Sequence, residues 1–214
     1  MGNVIFLAER LADRSRASAS SPAAFFFDLV CPFSYLAAER VERILGEVEW
    51  VPTPASVRGD RAAPVGNETL IDRAERRANE LRLPLIWPDP FPADCTEALR
   101  AAGFAAEQGE GARFALAASR LAFCGGFDLA DTEILAAAAE AAGLRVDDCL
   151  AAAKDPDRDA QLEATARGLL ARGVGELPAI RVERRWFEGE RSVTEASALL
   201  RARTLYERPL APAG

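Results

Sequence analysis

Phe25-Phe26-Phe27-Asp28-Leu29-Val30-Cys31-Pro32-Phe33-Ser34-Tyr35-Leu36 is the stretch that decides the fold. Its first half is a short apolar run with the length and composition of a buried strand. Its second half opens a helical pattern that runs to Leu45, with Leu36, Val41, Ile44 and Leu45 on one face and Gly46 placed to cap the end. Pro32 suits the first helical turn, where a missing amide hydrogen leaves nothing unpaired. Cys31 therefore stands where a strand ends and a helix begins.

A thiolate at such a point gains from the helix dipole and from the unpaired amides of the first turn. Cys31 is accordingly expected to titrate well below about 8.5, the usual value of a free thiol. Ser34 lies one helical turn on and brings a hydroxyl near the sulfur. It can hydrogen-bond a thiolate but cannot resolve a disulfide. Cysteine is also often buried as a small apolar side chain, and position alone leaves both readings open.

Working outward, Val48 to Val51 reads as a second strand, which completes a strand-helix-strand unit. Pro52 to Pro64 turns to Pro, Gly and Ala and reads as loop. Helical patterns fill Glu68 to Leu81, Cys95 to Glu107, Gly111 to Phe123, Asp131 to Ala142 and Ala160 to Arg172. Between the first two lies Leu83 to Pro92, whose prolines impose extended geometry. Ala179 to Val182 and Arg185 to Phe187 then form a hairpin, followed by a closing helix from Val193 to Tyr206. Residues 3–14 read as a short amphipathic helix on a small-residue linker, and the tail after Glu207 as loose. This order describes a sheet domain made of residues 24–57 and 173–206, interrupted by a helical insertion at 58–172. Residues 1–23 and 207–214 flank it as appendage and tail.

Composition narrows the chemistry. Half of the 214 residues are hydrophobic and 28% are charged, which supports a sizeable core. The net charge of −7 disfavours nucleic acid as a partner. The absence of histidine excludes Ser-His and Cys-His pairs, histidine metal ligands and a histidine base. The four cysteines, at 31, 95, 124 and 149, have neither CxxC nor zinc-like spacing, so no metal is expected. They do not read as a disulfide framework either. The apolar run Val4 to Ala8 is too short for a signal-peptide core, and no stretch reaches the length of a membrane span. The expectation is a cytoplasmic protein that does not bind membranes.

Other residues carry weaker signals. Cys95, Cys124 and Cys149 sit in Ala-rich helical segments and read as small core or near-core residues. Trp87, Phe91 and Phe114 either line a pocket or simply pack. Arg58 and Arg61 either read a carboxylate or are solvated loop residues. Asp28 reads as a capping or pairing carboxylate. Gly173-Val174-Gly175-Glu176-Leu177-Pro178 precedes the late strand. It is either an ordinary turn or a cis Leu177–Pro178 bond that leaves the Leu177 backbone free to pair with a partner.

The Cys31 motif and the Leu177-Pro178 segment together resemble the DsbA-like thioredoxin superfamily. Within it, the likeness is to the branch of 2-hydroxychromene-2-carboxylate isomerases and kappa-class glutathione transferases. Leu83-Pro84 with Pro88 and Phe91-Pro92, then Ala98-Leu99-Arg100-Ala101, is similar to that branch, and Phe187 to Arg191 resembles its Phe-Gly-x-Asp-Arg segment. The resemblance covers about residues 24 to 200.

It implies an α/β, thioredoxin-like fold with an all-helical insertion domain. The reactive position falls on Cys31, where many isomerases carry serine. Leu177 and Pro178 match the segment that holds the cysteinyl group of glutathione. Glu190 and Arg191 match an acidic-basic pair beside the site, with Glu190 standing where Asp is usual. Ser34 replaces the second cysteine of the dithiol oxidases, so disulfide donation through CxxC is not expected. The leading functional expectation is a thiol oxidoreductase or transferase working through Cys31, with glutathione as partner. The alternative is a glutathione-dependent isomerase of the 2-hydroxychromene-2-carboxylate type. A second alternative is a non-catalytic binding protein of the same fold. Partners would be small molecules or thiol/disulfide substrates, and the resemblance is compatible with a homodimer.

Overall fold

A computed structural model describes residues 23–55 and 67–207, apart from the side chains at 67–69 and 203–207. The expected N-terminal helix, Arg58, Arg61 and the C-terminal tail lie outside the described residues.

The chain opens with β1 (Ala23–Phe27), α1 (Pro32–Ala38), α2 (Val41–Leu45) and β2 (Glu49–Pro52). A long helical section follows: α3 (Asn67–Leu81), α4 (Thr96–Glu107), α5 (Gly111–Phe123), α6 (Thr132–Ala142), α7 (Val146–Ala153) and α8 (Asp159–Ala171). The chain closes with β3 (Ala179–Val182), β4 (Arg185–Glu188), a 3-10 turn at Gly189–Arg191 and α9 (Ser192–Glu207).

The sheet has the order β2-β1-β3-β4. β1 runs parallel to β2, pairing Phe25 with Trp50, and antiparallel to β3, pairing Phe25 with Ile180. β3 and β4 form an antiparallel hairpin in which Ile180 faces Phe187. This pairing places the two sequence-distant motifs, Cys31 after β1 and Leu177-Pro178 before β3, at the same end of adjacent central strands.

Every residue of β1 is buried, because both faces of the sheet are covered. Phe25 and Phe27 face the larger core, where each lies against Trp50 in an edge-on arrangement. Ala24 and Phe26 face the opposite way, toward Leu169 of α8, Val174, Leu177 and Trp186. The larger core is continuous from the sheet through Leu36 and Val41 into the Ala-rich faces of α4, α5 and α6. Alanine suits these helices twice over, through its helix propensity and through the close approach that its single methyl allows.

Two elements depart from the sequence reading. The helix expected to run to Leu45 is broken at Glu39-Arg40 into α1 and α2. All seven residues of α1 are buried, whereas α2 buries only Val41, so the two halves answer to different surroundings. The helix α7 was not expected. Its signal is present in Asp147 and Asp148, which complement the helix dipole in the first turn.

Candidate functional site

Cys31 is the N-cap of α1, with extended backbone angles, and its amide closes a turn on the Asp28 carbonyl at 3.2 Å. Asp28 shapes that turn from within. Its carboxylate is 3% exposed and accepts from the amides of Val30 and Ala55, tying the loop after β1 to the end of β2. Ser34 is buried and its hydroxyl accepts from the Asp28 amide at 3.3 Å.

Across the sheet end, the Cys31 thiol donates to the Leu177 carbonyl, with Sγ 3.7 Å from the oxygen. The Leu177–Pro178 peptide bond is cis, and the Pro178 carbonyl accepts from the Gly189 amide at 2.8 Å. Gly175 and Glu176 donate their amides to the Glu188 carboxylate, which fixes the segment leading into the turn. The structure thus brings Cys31, Ser34, Leu177 and Pro178 to one place.

The expected fall in the Cys31 pKa is not what the structure supports. Burial of the sulfur pushes the thiol above its ordinary value and outweighs the opposing hydrogen bonds. The Ser34 hydroxyl and the amides of Ser34 and Phe33 pull the other way, while the Asp28 carboxylate adds to the rise. α1 is only seven residues long and abuts a buried carboxylate, so its dipole cannot offset desolvation.

Glu190 and Arg191 turn to different partners. Glu190 turns to α3, where it meets Arg73 at 3.5 Å and Arg77 at 3.6 Å. Arg191 is 76% exposed and turns to Glu195 one helical turn on. The 3-10 turn orients neighbouring side chains in different directions, so adjacency in sequence did not make them partners. Arg73, which the sequence reading passed over, lies over the ring of Phe33 with its guanidinium carbon 5.2 Å from the centroid.

Tyr35 is the second residue that sequence reasoning missed. Its hydroxyl donates to the Pro84 carbonyl at 2.7 Å, which uses its one proton. The Cys124 thiol, 3.1 Å away, therefore donates to the tyrosine oxygen. Burial and this contact hold Tyr35 protonated beyond its ordinary range. Of the other cysteines, Cys95 and Cys149 are buried and Cys124 is half-buried against the core, as a core or near-core reading expects. Trp87 lies tilted against Phe91, with centroids 4.6 Å apart and ring planes at 60°, and Phe114 is fully buried, so the three aromatics pack.

A cavity of about 260 Å³ lies beside the Cys31 loop, lined by Asp28, Val30, Asp94, Cys95 and Leu99, with Asp159 and Leu162 opposite. Among the described residues no group of three metal-ligating side chains occurs, and no helix is long and apolar enough to cross a membrane.

Residues 24–200 match the family model of the DsbA-like thioredoxin domain. The chain belongs to that family. Among solved structures, it is similar to a 2-hydroxychromene-2-carboxylate isomerase, with a TM-score of 0.73 and 16% identity over 86% of this chain and 97% of that one. It is also similar to a probable DsbA oxidoreductase from Streptomyces coelicolor, with a TM-score of 0.65 and 18% identity over 90% and 93% of the two chains. A third is a putative protein disulfide isomerase from Nitrosomonas europaea, with a TM-score of 0.66 and 16% identity over 87% and 99%. At these identities the likeness is one of fold. No curated protein matches the chain.

Proposed function

We propose that this protein is a thiol-dependent enzyme of the glutathione-dependent isomerase type, in which Cys31 works as a neutral hydrogen-bond donor. The observation that carries the reading is the Cys31 thiol aimed at the Leu177 carbonyl, 3.7 Å away, in surroundings that favour the protonated form. A buried S–H beside a hydroxyl is suited to stabilise another molecule's sulfur and poorly suited to attack as a free thiolate. The 2-hydroxychromene-2-carboxylate isomerase whose fold this chain shares is named for an isomerase activity.

Glutathione, when bound, supplies a thiolate that adds reversibly to a conjugated double bond. The donor set fits such a thiol at its sulfur end. The Cys31 S–H, held on the Leu177 carbonyl, would have to turn to a partner's sulfur, with Ser34 supporting the Cys31 sulfur and the second lone pair of the Leu177 carbonyl accepting a partner's amide. The fit is weaker at Glu190, whose carboxylate is engaged by two arginines. Ser34, itself buried, keeps the Asp28 turn in place.

The test is isomerisation of a conjugated aromatic carboxylate in the presence of glutathione. Cys31→Ser retains a donor and keeps activity. Cys31→Ala loses it and falls by about a hundredfold, as removal of one such donor does elsewhere. A Cys31→Ser variant as dead as Cys31→Ala would defeat the reading. The second reading, thiol exchange through Cys31, is favoured by the Ser34 and Phe33 hydrogen bonds at its sulfur. Alkylation of Cys31 decides between them. A midpoint above about 8.5 supports the donor role, and one well below it supports exchange.

A further inference from the structure

We infer that Glu188 is a positioning residue for Cys31: its carboxylate sets the direction of the Leu177 carbonyl on which the Cys31 thiol rests. The inference rests on the reading that Cys31 and the Leu177 backbone form one site. Glu188 is the last residue of β4 and stands opposite Ala179, the first residue of β3. From there its side chain reaches back to the loop that precedes β3. One carboxylate oxygen, Oε2, accepts from the amides of Gly175 at 2.5 Å and Glu176 at 3.0 Å. Successive amides converging on one anion form a nest, and hydrogen bonds to a charged acceptor are stronger than neutral ones.

The Leu177 carbonyl is thereby held from both sides by two consecutive residues at the end of β4. Upstream, the Glu188 side chain ties the two residues before Leu177. Downstream, the Gly189 amide donates to the Pro178 carbonyl at 2.8 Å. The Leu177 side chain, buried with Phe26, Leu169 and Val174, fixes where the residue sits. It does not fix which way the carbonyl faces, because a carbonyl turns with the peptide planes on either side of it. Val174 anchors the start of the loop, its amide donating to the Leu169 carbonyl at 3.1 Å. The freedom left to Gly175 and Glu176 is what Glu188 removes, since their amides have no other acceptor among the described residues. Beyond this clamp the Cys31 sulfur lies 3.7 Å from the Leu177 oxygen. A carbonyl aimed at an S–H favours the protonated sulfur, so turning the carbonyl away lets the thiol ionise more readily.

The test is the pH profile of Cys31 alkylation by iodoacetamide, followed as the mass of the Cys31 peptide. It needs neither glutathione nor turnover, so its failure is distinct from failure of the proposed function. Glu188→Ala removes the acceptor together with its charge, whereas Glu188→Gln removes the charge and keeps an oxygen for the two amides. In Glu188→Ala the midpoint falls by about half a pH unit, which is about a threefold gain in thiolate at a fixed pH below it. Glu188→Gln brings the midpoint back close to wild type, and this rescue separates the hydrogen bonds from the long-range effect of the charge. Hydrogen exchange at the Gly175 and Glu176 amides quickens in Glu188→Ala and not in Glu188→Gln. A wild-type midpoint in Glu188→Ala would overturn the inference, because a clamp that only ties the loop leaves Cys31 unmoved. So would unquickened exchange in Glu188→Ala, or a Glu188→Gln midpoint shifted as far as that of Glu188→Ala.

Discussion

Asp28 illustrates how single residues set this site. Its buried carboxylate orders the turn that presents Cys31, and the same charge raises the cost of ionising the sulfur. Sequence position suggested an activated thiolate, and the buried neighbours reversed that sign. The core cysteines obey the same physics. Burial pushes Cys149 up to about 11 and Cys95 higher still, so in the folded protein at pH 8 both should resist alkylation, as peptide mass analysis would show. Tyr35→Phe removes the donor to the Pro84 carbonyl and the acceptor for Cys124. It should cost about 1 kcal/mol in urea unfolding and speed alkylation of Cys124. Unchanged stability together with an unchanged Cys124 rate would count against the contact.

At the scale of elements, the helices are fastened by a few directed pairs on top of apolar packing. Arg100 of α4 meets Asp159 of α8 through Nε and NH2 at 2.7 and 2.6 Å, and reaches the Ala153 carbonyl at the end of α7. The pairing holds the Asp159 carboxyl below its usual range. Its contribution is therefore present above the unfolded carboxylate pKa and lost as pH falls through the folded one. Asp159→Asn should lower stability by about 1 kcal/mol at pH 7, and the difference from wild type should begin to shrink only as pH falls below about 4. A constant difference across that range would show that the pair is not the cause. The 3-10 turn after β4 depends on Gly189, which adopts φ +71 and whose added Cβ would fall 2.5 Å from a Glu176 carboxylate oxygen. Gly189→Ala should destabilise by about 1–2 kcal/mol through left-handed strain and displacement of Glu176, measured as a lower urea midpoint.

For the molecule as a whole, the decisive feature is one core shared by the sheet and the helical section. Phe25, Phe27 and Trp50 belong to the same cluster as Ala102, Phe114, Phe123 and Leu135. Helices and sheet should therefore unfold together, with tryptophan fluorescence and far-UV ellipticity giving coincident transitions. Separate midpoints would mean that the helical section folds alone. Phe25→Ala, which opens a cavity at the centre of this core, should cost about 3–5 kcal/mol and lower both signals' midpoints equally.

Much of the fold was legible in the chain itself. A triple phenylalanine, a cysteine-proline step and a late Leu-Pro step are local signals, and local propensity fixes where strands and helices start. The break between α1 and α2 was not legible, because it follows from how deeply each half is buried. The helix α7 was legible but missed, since its first-turn aspartates are a short-range signal. At the site, Cys31, Ser34, Leu177 and Pro178 could be named from spacing and resemblance. Their meeting required β1 and β3 to pair across about 150 residues of sequence. The sequence by itself determined which groups are available for chemistry: a thiol, a hydroxyl and carboxylates, with no imidazole. Only the tertiary structure decided the upward shift of the Cys31 thiol and the pairing of Glu190 with Arg73 and Arg77. Both depend on desolvation and on charges brought close by folding, which no local pattern encodes.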